Sequence, residues 1–156
     1  MLEPVVKVID VPCGQKMAFD IFVADINSWW PLDKNSVSAM GGNVAQALKL
    51  EAKTGGSIIE TGHDGTEHHW GSVKEYDPSD KIVLNWHIGM PESSASLVEV
   101  CFSAVDDNNT RVELTHSNWE VFGEKANDMR NGYNAGWVGV FEQAYADACS
   151  GGSAQS

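Results

Sequence analysis

Five histidines, six tryptophans and three cysteines are the residues of this chain with the most chemistry to offer. His63, His68 and His69 cluster around one turn. A metal site needs three or four converging ligands. His68 and His69 are neighbours, and neighbours on a strand project to opposite faces. With Lys74 expected outward and Val73 inward, alternation places His68 outward and His69 inward. One inward imidazole is a polar group on a wall, so no metal is expected. His116 closes a run in which Val112 and Leu114 share its face. It fits either a hydrogen-bonded histidine at the core edge or a polar group lining a cavity. Ser117 follows directly and faces the other way, which makes a poor nucleophile–base pair. Cys101 has no evident basic partner. Carboxylates are plentiful, yet spacing forces none into a pair. Gly41-Gly42 and Gly55-Gly56 lack the lysine and following helix of a phosphate loop. No catalytic arrangement or cofactor is expected.

The aromatic residues point elsewhere. Trp29-Trp30-Pro31 puts two large rings at the end of a short helical stretch. Trp86 shares a face with Ile82 and Leu84. Near the C-terminus, Ala126, Met129, Tyr133, Trp137, Val140, Phe141, Ala144 and Ala148 recur at spacings of three and four, the signature of one helix face. Such a helix, from about residue 124 to 148, would be roughly 37 Å long. Gly132, Gly136 and Gly139 interrupt it, each at a cost of up to about 1 kcal/mol relative to alanine. They fit either close backbone contact with a sheet or room for a ligand. Aromatic walls with a few polar groups are the usual make-up of a small-molecule pocket. Its expected lining is Trp30, His69, Trp86, His116, Tyr133 and Trp137, and its expected occupant is an apolar or aromatic small molecule.

The elements that must position these side chains follow from β-branched runs and turn residues. Val5 to Val11 reads as a strand, ended by Pro12-Cys13-Gly14. Gln15 to Ala24 has helical spacing, and a helical turn over Asp25 to Trp30 stops at Pro31. Asp33 to Asn43 reads as a loop. Strands follow at 47–51, 57–61, 67–76, 81–87, 95–105 and 110–116. They are separated by turns such as His63-Asp64-Gly65-Thr66, Asp77-Pro78-Ser79-Asp80 and Asp106-Asp107-Asn108-Asn109. Short turns between consecutive strands make an antiparallel meander. Its apolar face needs a cover, and the glycine-bearing helix is the only large apolar stripe available.

The chain of 156 residues suits one domain, over 1–149, with 150–156 read as a disordered tail. A hydrophobic fraction of 42% suffices for a core. Net charge of −12 repels phosphate backbones and anionic lipid, which argues against nucleic-acid and membrane partners. No apolar run approaches a membrane span. The opening residues lack a secretory leader, and Cys13, Cys101 and Cys149 form no disulfide framework, so a reducing cytoplasm is the expected compartment.

These features together carry a resemblance. Val-Lys-Val-Ile-Asp-Val before a short helix, Trp29-Trp30-Pro31, Gly55-Gly56, Trp70-Gly71-Ser72-Val73 and Asp77-Pro78 contribute to it. So do Leu84-Asn85-Trp86, the run from Thr110 to His116, Trp119 and Gly136-Trp137. In their order and spacing they resemble the START/SRPBCC superfamily, and within it the domain named for the activator of heat-shock protein 90 ATPase homologue 1. The resemblance implies an α+β helix-grip fold, in which a curved antiparallel sheet of six or seven strands wraps a long C-terminal helix and leaves a cavity between them. Relatives carry hydrophobic ligands, bind chaperones, or act as cyclases and hydrolases. A heat-shock chaperone is therefore the alternative partner, and an enzyme of the cyclase or hydrolase kind a third reading. Chaperone activators carry a further domain before this one, which this sequence is expected to lack.

Overall fold

The computed structural model describes residues 2–88 and 91–152. Seven antiparallel strands form one curved sheet: β1 (Val5–Val11), β2 (Ala47–Leu50), β3 (Ser57–Thr61), β4 (Glu67–Asp77), β5 (Lys81–Trp86), β6 (Ser96–Asp106) and β7 (Asn109–Ser117). Their order across the sheet is β1-β7-β6-β5-β4-β3-β2. The meander from β2 to β7 is sequential, because each turn is too short for anything but an antiparallel return. The strand β1 closes the far edge beside β7, with Val5 opposite His116 and Val11 opposite Thr110. Three short helices fill the gap between β1 and β2: α1 (Gln15–Val23), α2 (Ile26–Trp29) and α3 (Val37–Met40). The last of these lies in the segment expected to be a loop. Ser36 caps it, its hydroxyl oxygen accepting from the Ala39 amide at 2.9 Å.

The long C-terminal helix lies across the concave face. A 3₁₀ segment (Trp119–Lys125) leads into α4 (Ala126–Trp137), which continues as wide π turns over Val138–Tyr145 and Ala148–Gly152. The widening changes which residues face inward. Ala144 and Ala148 were expected on the buried stripe. Trp137, Val140 and Phe141 of that stripe are buried, but beyond them Tyr145 and Cys149 are buried and both alanines are only half-buried. A π turn spans more residues than an α turn, so every fourth side chain holds its direction and the 3.6-residue pattern drifts off. The disordered tail expected over 150–156 begins as the end of this last turn, and 153–156 lie outside the described residues. So do Gly89 and Met90 of the connector before β6.

Alternation holds on most strands. Ile82, Leu84 and Trp86 of β5, Val98, Val100 and Phe102 of β6, and Val112, Leu114 and His116 of β7 all face the core. On β4 it breaks. Ile58 of β3 pairs with Gly71 but Ile59 pairs with His69, so one residue of β4 is skipped. This bulge turns both Trp70 and Gly71 inward and reverses the sense of the residues before them. His69 is consequently exposed on the outer face, its ring 5.2 Å from that of His87, and does not face the cavity. Gly71 is required at the bulge, since any Cβ there would collide with the Asn85 carbonyl oxygen.

Candidate functional site

Between α4 and the sheet lies an open pocket of about 450 Å³. Its aromatic walls are Trp30 at the end of α2, Trp86 at the end of β5, and Tyr133 and Trp137 on α4. The rings form a continuous network: Trp30 sits 5.9 Å from Trp86 and 6.1 Å from Trp137, and Trp86 sits 5.6 Å from Trp137. Ile88, Met129 and Val140 add apolar surface. Lys34, Asn35 and Asp128 add polar groups, Lys34 being exposed. Gly132 and Gly136 form bare backbone on the helix side. A Cβ on Gly132 would meet nothing within 4 Å, and one on Gly136 only the Asn35 amide nitrogen at 4.0 Å. Close packing on the sheet is therefore not what these two glycines accommodate. Gly139 is exposed and lies off the pocket wall.

Four of the six expected lining residues thus meet in one place, and two do not. The bulge removes His69. His116 stands behind the wall rather than on it, with none of its surface exposed. Trp119 and Tyr133 cover it, their rings 4.2 and 4.6 Å away. Its bonding fixes its chemistry. The Trp137 indole N–H, which can only donate, donates to His116 Nδ1 at 3.0 Å. Nδ1 must therefore be unprotonated, and the proton sits on Nε2. From there it is donated to Ser96 Oγ at 2.7 Å, and that hydroxyl donates on to the Trp86 carbonyl at 3.1 Å. Burial pushes the imidazole pKa down to about 3. His116 is neutral, its lone pair is occupied, and it acts as a brace between α4 and β6 rather than as a base.

A second buried polar residue, with no role foreseen from the sequence, holds the other side of the pocket. Glu60 on β3 has none of its surface exposed. Its carboxylate accepts from the Val37 amide at 2.7 Å, the Ser38 amide at 3.0 Å, the Ser38 hydroxyl at 2.9 Å and the Trp70 indole at 3.0 Å. Burial opposes its ionisation, but the donors from Ser38, Val37 and Trp70 together keep its pKa below the usual carboxylate value. This anion ties the start of α3 to the sheet. The same segment supplies Asn35, Ser36 and Met40 to the pocket. The available signal was alternation, which puts Glu60 on the same strand face as Ile58.

Tyr133 completes the polar side of the pocket. Burial raises its phenol pKa to about 12, an effect partly offset by the nearby Trp86 indole. The Trp86 and Trp119 indole nitrogens are both fully buried, and that of Trp86 lies against the Tyr133 hydroxyl.

A curved sheet gripping one long helix around an aromatic pocket defines the α+β helix-grip class. The sequence matches the family model of activator of Hsp90 ATPase homolog 1-like proteins over residues 24–143, and the chain belongs to that family. Solved structures agree on the fold. The anthrahydroquino-gamma-pyrone synthase Txn09 is 25% identical with a TM-score of 0.63, covering 94% of this chain and 96% of its own. CalC, a self-sacrificing resistance protein from Micromonospora echinospora, is 25% identical with a TM-score of 0.67, covering 94% of each chain. The Aha1 dimer from Colwellia psychrerythraea is 16% identical with a TM-score of 0.64, covering 97% of this chain and 98% of its own. No curated protein matches the sequence. Among the described residues no helix is long and apolar enough to cross a membrane, and no three His, Cys, Asp or Glu side chains converge as a metal site would require.

Proposed function

We propose that this chain is a binding module that takes an apolar or aromatic small molecule in the pocket between α4 and the sheet, without catalysing its conversion. The observation that carries this reading is the pocket itself: about 450 Å³, walled by Trp30, Trp86, Tyr133 and Trp137, beside two glycines with open space where side chains would be. Concave, mostly aromatic sites of this size suit small ligands. His116, behind the wall, has its lone pair bonded to Trp137, which leaves that imidazole unable to act as a general base. Two relatives at 25% identity, a synthase and a resistance protein, support small-molecule chemistry for this fold. A reducing cytoplasm suits a chain whose cysteines are all free.

Native mass spectrometry of freshly purified protein, followed by titration with an apolar fluorescent probe, tests the proposal. A retained small molecule, or probe binding that Gly136→Leu abolishes, is expected. Absence of both would remove the reading. The family match favours one alternative, regulation of a heat-shock chaperone ATPase by surface contact. Stimulation of that ATPase by this chain, undiminished in Gly136→Leu, would select it.

A further inference from the structure

Most polar groups on the pocket wall are already engaged. The Ser36 hydroxyl donates to the Leu32 carbonyl and accepts from the Ala39 amide, both at 2.9 Å. The Tyr133 hydroxyl is turned to the Trp86 indole N–H, which can only donate. Lys34 and Asp128 are exposed, one charge of each sign, so the lining as a whole is neutral. Asn35 differs from all of these. Its backbone is held on both sides: the amide donates to the Pro31 carbonyl at 2.9 Å, and the carbonyl accepts from the Trp30 indole at 2.7 Å. Its side chain, by contrast, has no hydrogen-bond partner among the described residues. The residue is half-buried, and its carboxamide nitrogen is the nearest atom to where a Cβ on Gly136 would stand, at 4.0 Å. The carboxamide therefore projects toward the bare stretch of α4 that borders the pocket. It offers a C=O acceptor and two N–H donors in one plane. A ligand that covers it must pair it, because an amide desolvated without a partner counts against binding.

Resting on the binding reading above, we infer that Asn35 sets the specificity of the pocket, and that the ligand it selects is a neutral, flat heteroaromatic compound with an N–H beside a C=O on one edge, as in an aromatic lactam. The Asn35 N–H donates to the ligand carbonyl, and the Asn35 carbonyl accepts from the ligand N–H. The ligand rings lie on the aromatic wall beside Gly132 and Gly136. A hydrocarbon of the same shape covers the carboxamide and leaves it unpaired. An anion gives the Asn35 carbonyl no donor, and the pocket offers it no buried cation.

The test uses 2-quinolone and its N-methyl derivative, which lacks the N–H, each displacing the apolar fluorescent probe from the full chain. The lactam should bind about fivefold to tenfold tighter, the value of one well-placed hydrogen bond. In Asn35→Leu the two should bind within about twofold of each other. The backbone bonds of Asn35 remain available in that variant, and thermal unfolding checks its fold. Asn35→Asp is the second variant: it keeps the shape but has no N–H to give the ligand carbonyl, so 2-quinolone should weaken by at least about fivefold. Equal binding of both compounds to the wild type, or a preference that survives Asn35→Leu, would overturn the inference and leave the binding reading intact. So would failure of both compounds to displace a fluorescent probe that does bind. If the fluorescent probe does not bind and native mass spectrometry finds no retained molecule, the binding reading itself falls and takes the inference with it.

Discussion

The two ends of the C-terminal helix perform different jobs with similar residues. From Ala126 to Trp137 the helix presents Met129, Gly132, Tyr133 and Gly136 to open space. From Val138 onward it presents Phe141 and Tyr145 to a filled core. Tyr145 packs against Phe22 and Trp29, with ring centroids 5.2 and 5.3 Å apart, and its hydroxyl donates to the Ala18 carbonyl at 2.7 Å. Trp137 stands at the junction, pocket on one side and His116 on the other. The packed end, anchored on α1, α2 and the sheet, fixes the helix. The other end can then stay apart from the sheet without the domain collapsing onto its own pocket. A cavity of this kind forfeits dispersion contacts along its walls, so it persists only where neighbouring structure is rigid enough to hold it open.

That contrast can be broken most forcefully at the packed end. Phe141→Ala should cost about 3–5 kcal/mol in urea or thermal unfolding. Met129→Ala, at the pocket, should cost about 1 kcal/mol because its side chain already has space on one side. Similar losses at both positions would mean that the pocket end is packed in solution.

Glu60→Gln probes the wall that α3 provides. It keeps the shape, removes the charge and turns one acceptor into a donor facing donors. It should cost about 1–3 kcal/mol and weaken probe binding through α3. A stability loss with unchanged probe affinity would separate Glu60 from the pocket.

Protonation offers a graded test. In the unfolded chain His116 takes up its proton near pH 6.5, and in the fold it resists until about pH 3. Between these values unfolding takes up a proton, so stability falls as pH drops, by up to about 1.4 kcal/mol per unit, and the loss is absent above pH 6.5. Glu60 works in a lower window. Its folded carboxyl is held below its ordinary 4.5, so the stability it contributes is present above that value and lost as pH falls through the lowered one. His116→Gln should therefore flatten the stability profile between pH 6.5 and 4.5 and leave the steeper acid limb. A profile unchanged by the substitution would show that His116 is not the neutral, buried brace described here.

The smallest effects sharpen the comparison within the glycines themselves. Gly132→Ala, Gly136→Ala and Gly139→Ala should each stabilise the helix by up to about 1 kcal/mol, because an added methyl meets nothing closer than an ordinary contact. Only the first two should weaken probe binding, since Gly139 lies off the pocket. Destabilisation by Gly136→Ala would mean that the helix sits closer to the sheet than described.

The sequence by itself determined the strands, their antiparallel succession and the long helix. Those depend on local periodicity and turn chemistry, as in the alternation of Val98, Val100 and Phe102 or the turn at His63-Asp64-Gly65-Thr66. It also placed Trp30, Trp86, Tyr133 and Trp137 together, because each lies on an apolar face next to the helix that covers the sheet. What only the tertiary structure decided lies where a local count fails. The extra residue Trp70, left out of the β3–β4 pairing, turns inward and sends His69 outward, and a bulge has no signature in alternation except its own breakdown. Wide π turns put Tyr145 and Cys149 where a 3.6-residue period would put Ala144 and Ala148. The role of Glu60 depends on Val37 and Ser38, distant in the chain, supplying donors that only the folded α3 aims at it. Whether the space beside Gly132 and Gly136 is open depends on the same thing: contacts between distant segments, which no local pattern records.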